Sequence, residues 1–241
     1  MSRSGDRTSD YTADEMMTIA AARKFRDGAT CFVGVGLPGA AACLARIIHA
    51  PDIILVYESG IIGAKPSRPP LSIADSELAD TADFIVSVPE IFSYWLQGGR
   101  IDMGFLGAVQ IDRYANLNST VIGNYDSPKV RMPGAGGAPQ ITAGAREIVV
   151  LLRQSPKTFV RQLDFLTSAR CTGTTTVITD LGVLETDPAA GELTLTSCHP
   201  GKTVDAAREA TGWPLRIGVA LGQTPVPSSL ELSALRGLNA A

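Results

Sequence analysis

Short apolar runs separated by helix-patterned segments govern what this chain can fold into. "ATCFVGVG" (29–36), "DIILVYES" (52–59), "IDMGFLGAVQID" (101–112), "REIVVLLRQ" (146–154) and "TTTVITDLGVLE" (174–185) have the length and β-branched content of buried strands. Between them, "TADE" (12–15) has capping-box spacing, Thr12 facing Glu15, and opens a helix through "MMTIAAARKFR" that Gly28 ends. "AAACLARIIHA" (40–50) predicts a second helix, and "LADTADFIVSV" (78–88) a short helical or loop stretch followed by a strand. "PEIFSYWLQGGR" (89–100) predicts a helix opened by Pro89 and Glu90 and closed by Gly98 and Gly99. Strands alternating with helices at this spacing predict an α/β protein with an open, mostly parallel sheet flanked by helices. "ELTLTSC" (192–198) adds a hairpin partner to "VITDLGVLE", so some antiparallel strands are expected near the C-terminus. "TVDAAREATG" (203–212) and "SSLELSALRGL" (228–238) predict closing helices.

The chain has 241 residues, enough for one full core, and no internal repeat or long Pro/Ser linker divides it. We therefore expect a flexible tail over 1–11 and a single domain over 12–241. A net charge of −3 leaves no basic face for phosphates, so nucleic acid is not an expected partner. No run reaches the roughly 20 apolar residues of a membrane span, and the polar start lacks the apolar core of a signal peptide. Cys31, Cys43, Cys171 and Cys198 form no C-x-x-C pair, and His49 and His199 are the only histidines. No metal site is expected, and buried reduced thiols fit a cytoplasmic protein.

One carboxylate stands out against this background. "VYESG" (56–60) ends the most hydrophobic strand in Glu58, followed by the turn signal Ser59–Gly60. In open α/β sheets ligands bind beyond the carboxyl ends of the strands, so the strand delivers Glu58 to the ligand edge. A solvated carboxylate or a turn cap would serve as well for an isolated Glu. Gly60 and Gly63 in "ESGIIGAKP" keep side chains away from it, as a carboxylate approached by a bulky substrate requires.

Two glycine clusters bear on its role. "GVGLPG" (34–39) fits G-x-G-x-x-G, with Glu58 about 20 residues further on, the pattern of a dinucleotide site. An NAD-dependent dehydrogenase is thus one alternative, although no later domain offers an evident hydride-transfer acid or base. "RMPGAGGAPQ" (131–140) follows a turn-rich stretch, and Gly134, Gly136 and Gly137 could present consecutive backbone N–H groups to an anion. Most glycine-rich loops are surface turns; a glutamate attacking an acyl carbon would give this one a use.

"YESGIIG" taken with "GAGGA" resembles the β subunits of family I coenzyme A transferases, with the similarity running along nearly the whole chain to "TSCHPG". The resemblance implies a CoA-transferase-like, Rossmann-like fold. It is closest to the glutaconate-transferase-like branch, and within that to transferases of 3-oxoadipate. It puts the nucleophile on Glu58 and the oxyanion and acyl-CoA loop on Gly134, Gly136, Gly137 and Ala138. "GVGLP" then lines the acyl-CoA site through Gly34, Gly36 and Leu37, beside Ser59 and Gly60. The implied reaction is ping-pong through a glutamyl-CoA thioester, with coenzyme A as substrate and covalent intermediate and no tightly bound cofactor. A separate α subunit is the implied partner, in α2β2 or larger assemblies, with acyl-CoA and carboxylic acid substrates. Same-fold hydrolases and decarboxylases are the nearest alternative.

Further polar residues are weaker candidates. Gln110, Asn116 and Asn118 at a strand end could line the acid pocket or make ordinary turn contacts. Lys65 and Arg68 could meet a substrate carboxylate or decorate a proline-rich loop. "FSYWLQ" (92–97) reads as core and interface, and Cys198–His199 as chain neighbours that rarely face each other.

Overall fold

The computed structural model describes residues 10–240. Of the expected tail 1–11, residues 1–9 lie outside the described residues. Tyr11 packs against the core, and the Asp10 carbonyl accepts from Arg236 Nη2 at 2.7 Å. The strands are β1 (Thr30–Val33), β2 (Ile54–Val56), β3 (Ile61–Ile62), β4 (Phe84–Ile85), β5 (Met103–Gly107), β6 (Gln110–Ile111) and β7 (Leu117–Asn118). They continue as β8 (Val121–Gly123), β9 (Pro128–Arg131), β10 (Glu147–Leu151), β11 (Thr174–Ile178), β12 (Gly182–Thr186), β13 (Leu193–Cys198) and β14 (Arg216–Gln223). The helices are α1 (Ala13–Ala22), α2 (Leu37–Ile48), α3 (Ser76–Asp80), α4 (Val88–Glu90), α5 (Ala138–Gly144), α6 (Val204–Glu209) and α7 (Ser229–Ala240), with a π-helical turn, Ile91–Leu96, continuing α4.

Ten strands form one sheet in the order β14-β13-β12-β11-β10-β5-β1-β2-β3-β4. The run from β11 to β2 is parallel, and β3 and β12 are the reversed strands. Successive strand residues face opposite sides, which divides the core in two. Cys31, Val33, Leu55 and Tyr57 pack under α1, α2 and α7, while Phe32, Val56, Ile148 and Val150 pack with Ile91, Leu96 and Ile141. The sheet is therefore covered by helices on both faces.

Local chemistry explains several elements directly. The Thr12 backbone N–H donates to Glu15 Oε2 at 2.7 Å while Thr12 Oγ1 accepts from Glu15 N at 3.2 Å, completing the capping box of α1. That helix stops at Ala22 rather than running to Arg26, because Lys24 and Phe25 switch to i−3 bonds on Ala21 and Ala22. "TTTVITDLGVLE" is two strands, not one: Thr179 Oγ1 accepts from the N–H groups of Leu181 and Gly182 and turns the chain back. Sequence pattern does not predict β14; it opens with Arg216, its glycines Gly218 and Gly222 interrupt the apolar residues, and it lies largely exposed on the sheet edge.

Candidate active site

The register of the central strands fixes the position of Glu58. Phe32 pairs with Val56, so Gly34 and Glu58 both lie two residues past that pair, beyond the carboxyl edge of the sheet. Glu58 is not in the strand itself but in the tight turn to β3, closed by Gly60 N donating to the Tyr57 carbonyl at 3.1 Å. Gly60 has φ +99°, and a Cβ there would collide with the Val86 carbonyl. Only glycine fits both the backbone angle and the approach. Val86 N in turn donates to the Gly60 carbonyl at 2.9 Å, so the end of β4 braces the turn. By strand parity Tyr57 stays with Leu55 under α2, and Glu58 emerges on the side of Val56, where α5 and the π-helical turn lie.

The second glycine cluster meets it there. Gly137 N–H donates to Glu58 Oε1 at 3.1 Å, joining residues far apart in the chain. A Cβ on Gly136 would sit 3.7 Å from both carboxylate oxygens. The loop is held at each end. Gly134 N donates to the Ser119 carbonyl at 3.3 Å, and Ser119 Oγ donates back to the Gly134 carbonyl at 3.0 Å. At the other end Ile141 N donates to the Gly137 carbonyl at 2.9 Å, fixing Gly137 as the residue that opens α5. Ala138 starts that helix, and its own N–H is taken by the Ala135 carbonyl at 3.0 Å. Glu58 is half-buried, Gly136 exposed and Gly137 buried.

The remaining predicted residues divide. Gly36, with φ +79°, caps α2 past the carboxyl end of β1; Gly34 lies level with Glu58 by the β1–β2 register, and Leu37 opens α2 and packs against the core under that helix. The Ser59 hydroxyl is buried with no hydrogen-bond partner among the described residues. Gln110 and Asn118 are spent internally: Gln110 Nε2 donates to Asp164 Oδ2 at 3.1 Å, and Asn118 Nδ2 to Gln110 Oε1 at 2.8 Å and the Val121 carbonyl at 2.7 Å. Their network ties the β6–β7 hairpin, and with it Ser119, to the loop around Asp164. Asn116 Nδ2 donates to Asp112. Lys65 pairs with Asp83, and Arg68 with Asp75 and Glu77. His199 is buried, its Nε2–H donated to the Thr179 carbonyl at 2.8 Å and its Nδ1 3.0 Å from Thr224 Oγ1. Burial lowers its pKa, so it is a neutral core histidine that makes no pair with Cys198.

Burial also pushes the Cys31 thiol up to about 12 and the Cys43 thiol to about 11, which leaves both unreactive. Among the described residues no cluster of His, Cys, Asp or Glu could hold a metal ion, and no helix is long and apolar enough to cross a membrane. Two contributors carry no clear mark in the sequence. Ser119 is hidden in a turn-rich stretch. Phe92 reaches Gly137 from the π-helical turn, where a Cβ on Gly137 would lie 2.8 Å from its ring.

The geometry joins a carboxylate nucleophile candidate to a backbone amide at the ligand edge of a doubly covered sheet, and known proteins share that frame. The chain is 51% identical to the B subunit of 3-oxoadipate CoA-transferase from Pseudomonas knackmussii, over 96% of this chain and 95% of the relative. Among solved structures, glutaconate coenzyme A-transferase from Acidaminococcus fermentans superposes with a TM-score of 0.87 at 26% identity, covering 94% of each chain. The crystal structure of the decarboxylase AibA/AibB superposes with a TM-score of 0.84 at 29% identity, again over 94% of each chain. The family profile "Coenzyme A transferase" matches residues 14–210. With most of its length matched by that profile and half its residues shared with a transferase subunit, the chain belongs to the coenzyme A transferase family.

Proposed function

We propose that this chain is the β subunit of a CoA-transferase that moves CoA from succinyl-CoA to a 3-oxo dicarboxylic acid, with 3-oxoadipate as acceptor, through a thioester on Glu58. The observation that carries the reading is the Gly137 N–H donated to the Glu58 carboxylate beyond the carboxyl end of β2. Glu58 attacks the thioester carbon of the donor; the C–S bond breaks, giving an acyl-glutamyl anhydride and CoA thiolate. The thiolate then attacks the glutamyl carbonyl of that anhydride and releases the donor acid as a carboxylate. The acceptor carboxylate runs the same two steps in reverse. A carboxylate suits both halves because it leaves as readily as it attacks.

Carboxylates are weak nucleophiles toward thioesters in water, so orientation has to supply much of the acceleration. Held groups gain roughly 7–11 kcal/mol this way. One backbone oxyanion donor adds about 3–4 kcal/mol. Gly136 and Gly137, braced through Ser119 and α5, are positioned to offer their amides to the tetrahedral oxyanion when Glu58 moves onto substrate. That the Pseudomonas relative is itself one subunit of a larger transferase supports a second, α chain as partner. The apolar side chains of Phe84, Ile85, Val88 and Tyr94, exposed next to the braced turn, are surface such a chain would cover.

The test uses the complex of this chain with its partner chain. Incubation with succinyl-CoA should leave CoA attached to the peptide carrying Glu58, seen by mass spectrometry, and Glu58→Ala should abolish both the adduct and transfer. No adduct with a broad panel of acyl-CoAs would overturn the reading in favour of hydrolase or decarboxylase chemistry on the same frame.

A further inference from the structure

A transferase with a covalent thioester faces a competing reaction. Water can bond through oxygen to the glutamyl carbonyl carbon, and the C–S bond then breaks with its electrons on sulfur. One water proton goes to the thiolate and the other to solvent, returning the Glu58 carboxylate and free CoA. The CoA is then never passed to the acceptor, so something must keep water from that carbon. The Gly134–Gly137 loop contributes amides and space but no large side chain, and the first glycine loop carries Val35, which is exposed, and Leu37, which opens α2.

Phe92 supplies the bulk. Its Cε1 and Cζ lie 2.8 Å, and Glu58 Oε1 lies 2.9 Å, from the same point, the place a Cβ on Gly137 would occupy. Ring edge and carboxylate therefore converge over one α-carbon, separated by no more than those two distances laid end to end. The ring is held from behind. Phe32, fully buried in β1, stacks at a tilt with a centroid distance of 6.3 Å, and Ala138 and Ile141 of α5 share the same apolar cluster. The backbone is unusual at this residue: Gln97 N donates to the Phe92 carbonyl at 3.0 Å, the i+5 bond of a π turn. Such turns cost regular helical bonding and concentrate at functional sites. Here the π turn hands Phe92, only half-buried, to the Glu58 side of α5 while Ile91 and Leu96 stay in the core.

We propose, resting on the Glu58 thioester reading above, that Phe92 is the shielding residue that keeps the intermediate from hydrolysis and so holds the protein to transfer rather than thioesterase activity. Phe92 forms no bond to substrate; it excludes water from the carbonyl face beside Gly137. The wild-type complex and its Phe92→Leu and Phe92→Ala variants would be loaded with succinyl-CoA without acceptor. The decay of the Glu58–CoA adduct would be followed by mass spectrometry and release of free thiol by a thiol reagent. Adduct formation should stay within a few-fold of wild type, while its decay should quicken about tenfold in Phe92→Ala and by a smaller factor in Phe92→Leu. The ratio of hydrolysis to transfer should rise in the same order. If Phe92→Ala does not fold, the Phe92→Leu decay rate carries the test alone. Unchanged decay, or formation and decay falling together, would overturn the shielding role and leave Glu58 as nucleophile intact. A wild-type complex that forms no adduct would instead remove the Glu58 reading, and this inference with it.

Discussion

A methyl group added at Gly137 would lie 2.8 Å from two ring carbons of Phe92 and 2.9 Å from Oε1 of Glu58. The backbone there has φ −85° and ψ 0°, which alanine adopts without strain, so the cost of Gly137→Ala is entirely that collision. Either the ring or the carboxylate must move, and the amide that Glu58 accepts from moves with them. We expect Gly137→Ala to lower kcat about 10²-fold, the scale of losing one oxyanion donor, with the melting temperature nearly unchanged. Gly134 gives the opposite balance. Nothing lies within 4 Å of its would-be Cβ, but φ is +109°, so Gly134→Ala strains the backbone and should lower stability by about 1–3 kcal/mol. Steady-state kinetics and thermal melts on the two variants separate the effects; a Gly137→Ala enzyme with full activity would remove the loop from the chemistry.

The hairpin holding the glycine loop shows where element-level reasoning from sequence stops. Ser119 exchanges two hydrogen bonds with Gly134, and Met132 N donates to the Thr120 carbonyl at 3.0 Å, so β7 and the residues after it form a latch. Ser119→Ala removes the hydroxyl half of that latch, about 1 kcal/mol of stability. It should lower kcat several-fold more than it raises KM, since the loop it loosens acts on the transition state. An equal rise in KM with unchanged kcat would make Ser119 a binding residue instead. None of this was legible, because Gln110, Asn118 and Asp164 meet only in the folded chain, and polar residues at a strand end look the same whether they face a pocket or each other. What was legible is local. Thr12 and Glu15 cap their helix through a three-residue spacing, and the apolar runs of β1, β2, β5 and β10 mark a parallel core whose carboxyl edge delivers Glu58. A two-residue strand such as β3 leaves too short a period to read, whereas β4 falls inside "LADTADFIVSV", where a strand is expected, and the π turn in "FSYWLQ" keeps a helical pattern while changing its hydrogen bonds. Glycine spacing pointed to Gly134–Gly137 correctly as a loop, but the contact with Glu58 depends on α5 and β2 facing the same side of the sheet.

At the scale of the whole molecule, the chain closes on itself on the face of the sheet opposite Glu58. α7 packs Leu232, Leu235 and Leu238 into the same core as α1 and α2, and two ion pairs lock it there. Arg236 meets Glu15 at 2.7 Å, and Arg23 meets Glu231 at 2.7 Å while donating also to the carbonyls of Pro225 and Val226. Burial raises the Glu231 pKa, but the Arg23 guanidinium and the N–H and hydroxyl of Ser228 outweigh it and bring the carboxyl down to about 2. A carboxylate with a depressed folded pKa stabilises the protein above its unfolded value, near 4.5, and the stabilisation drains away as pH falls through the folded value. Solvent screening at the helix surface reduces what the shift contributes to about 1–2 kcal/mol at neutral pH. Glu231→Gln should therefore be less stable than wild type by that order in urea titrations at pH 7, and the gap should narrow below pH 4.5 and nearly close by about pH 2. Transfer at neutral pH should be unaffected in the folded variant, because the pair lies with α1 and α7 on the sheet face opposite the one on which Glu58 emerges. A stability gap independent of pH would mean that Glu231 acts through packing of α7 and that its ion pair contributes little; a loss of transfer would mean that α7 reaches the site through α2, whose first turn follows the Gly34–Gly36 loop.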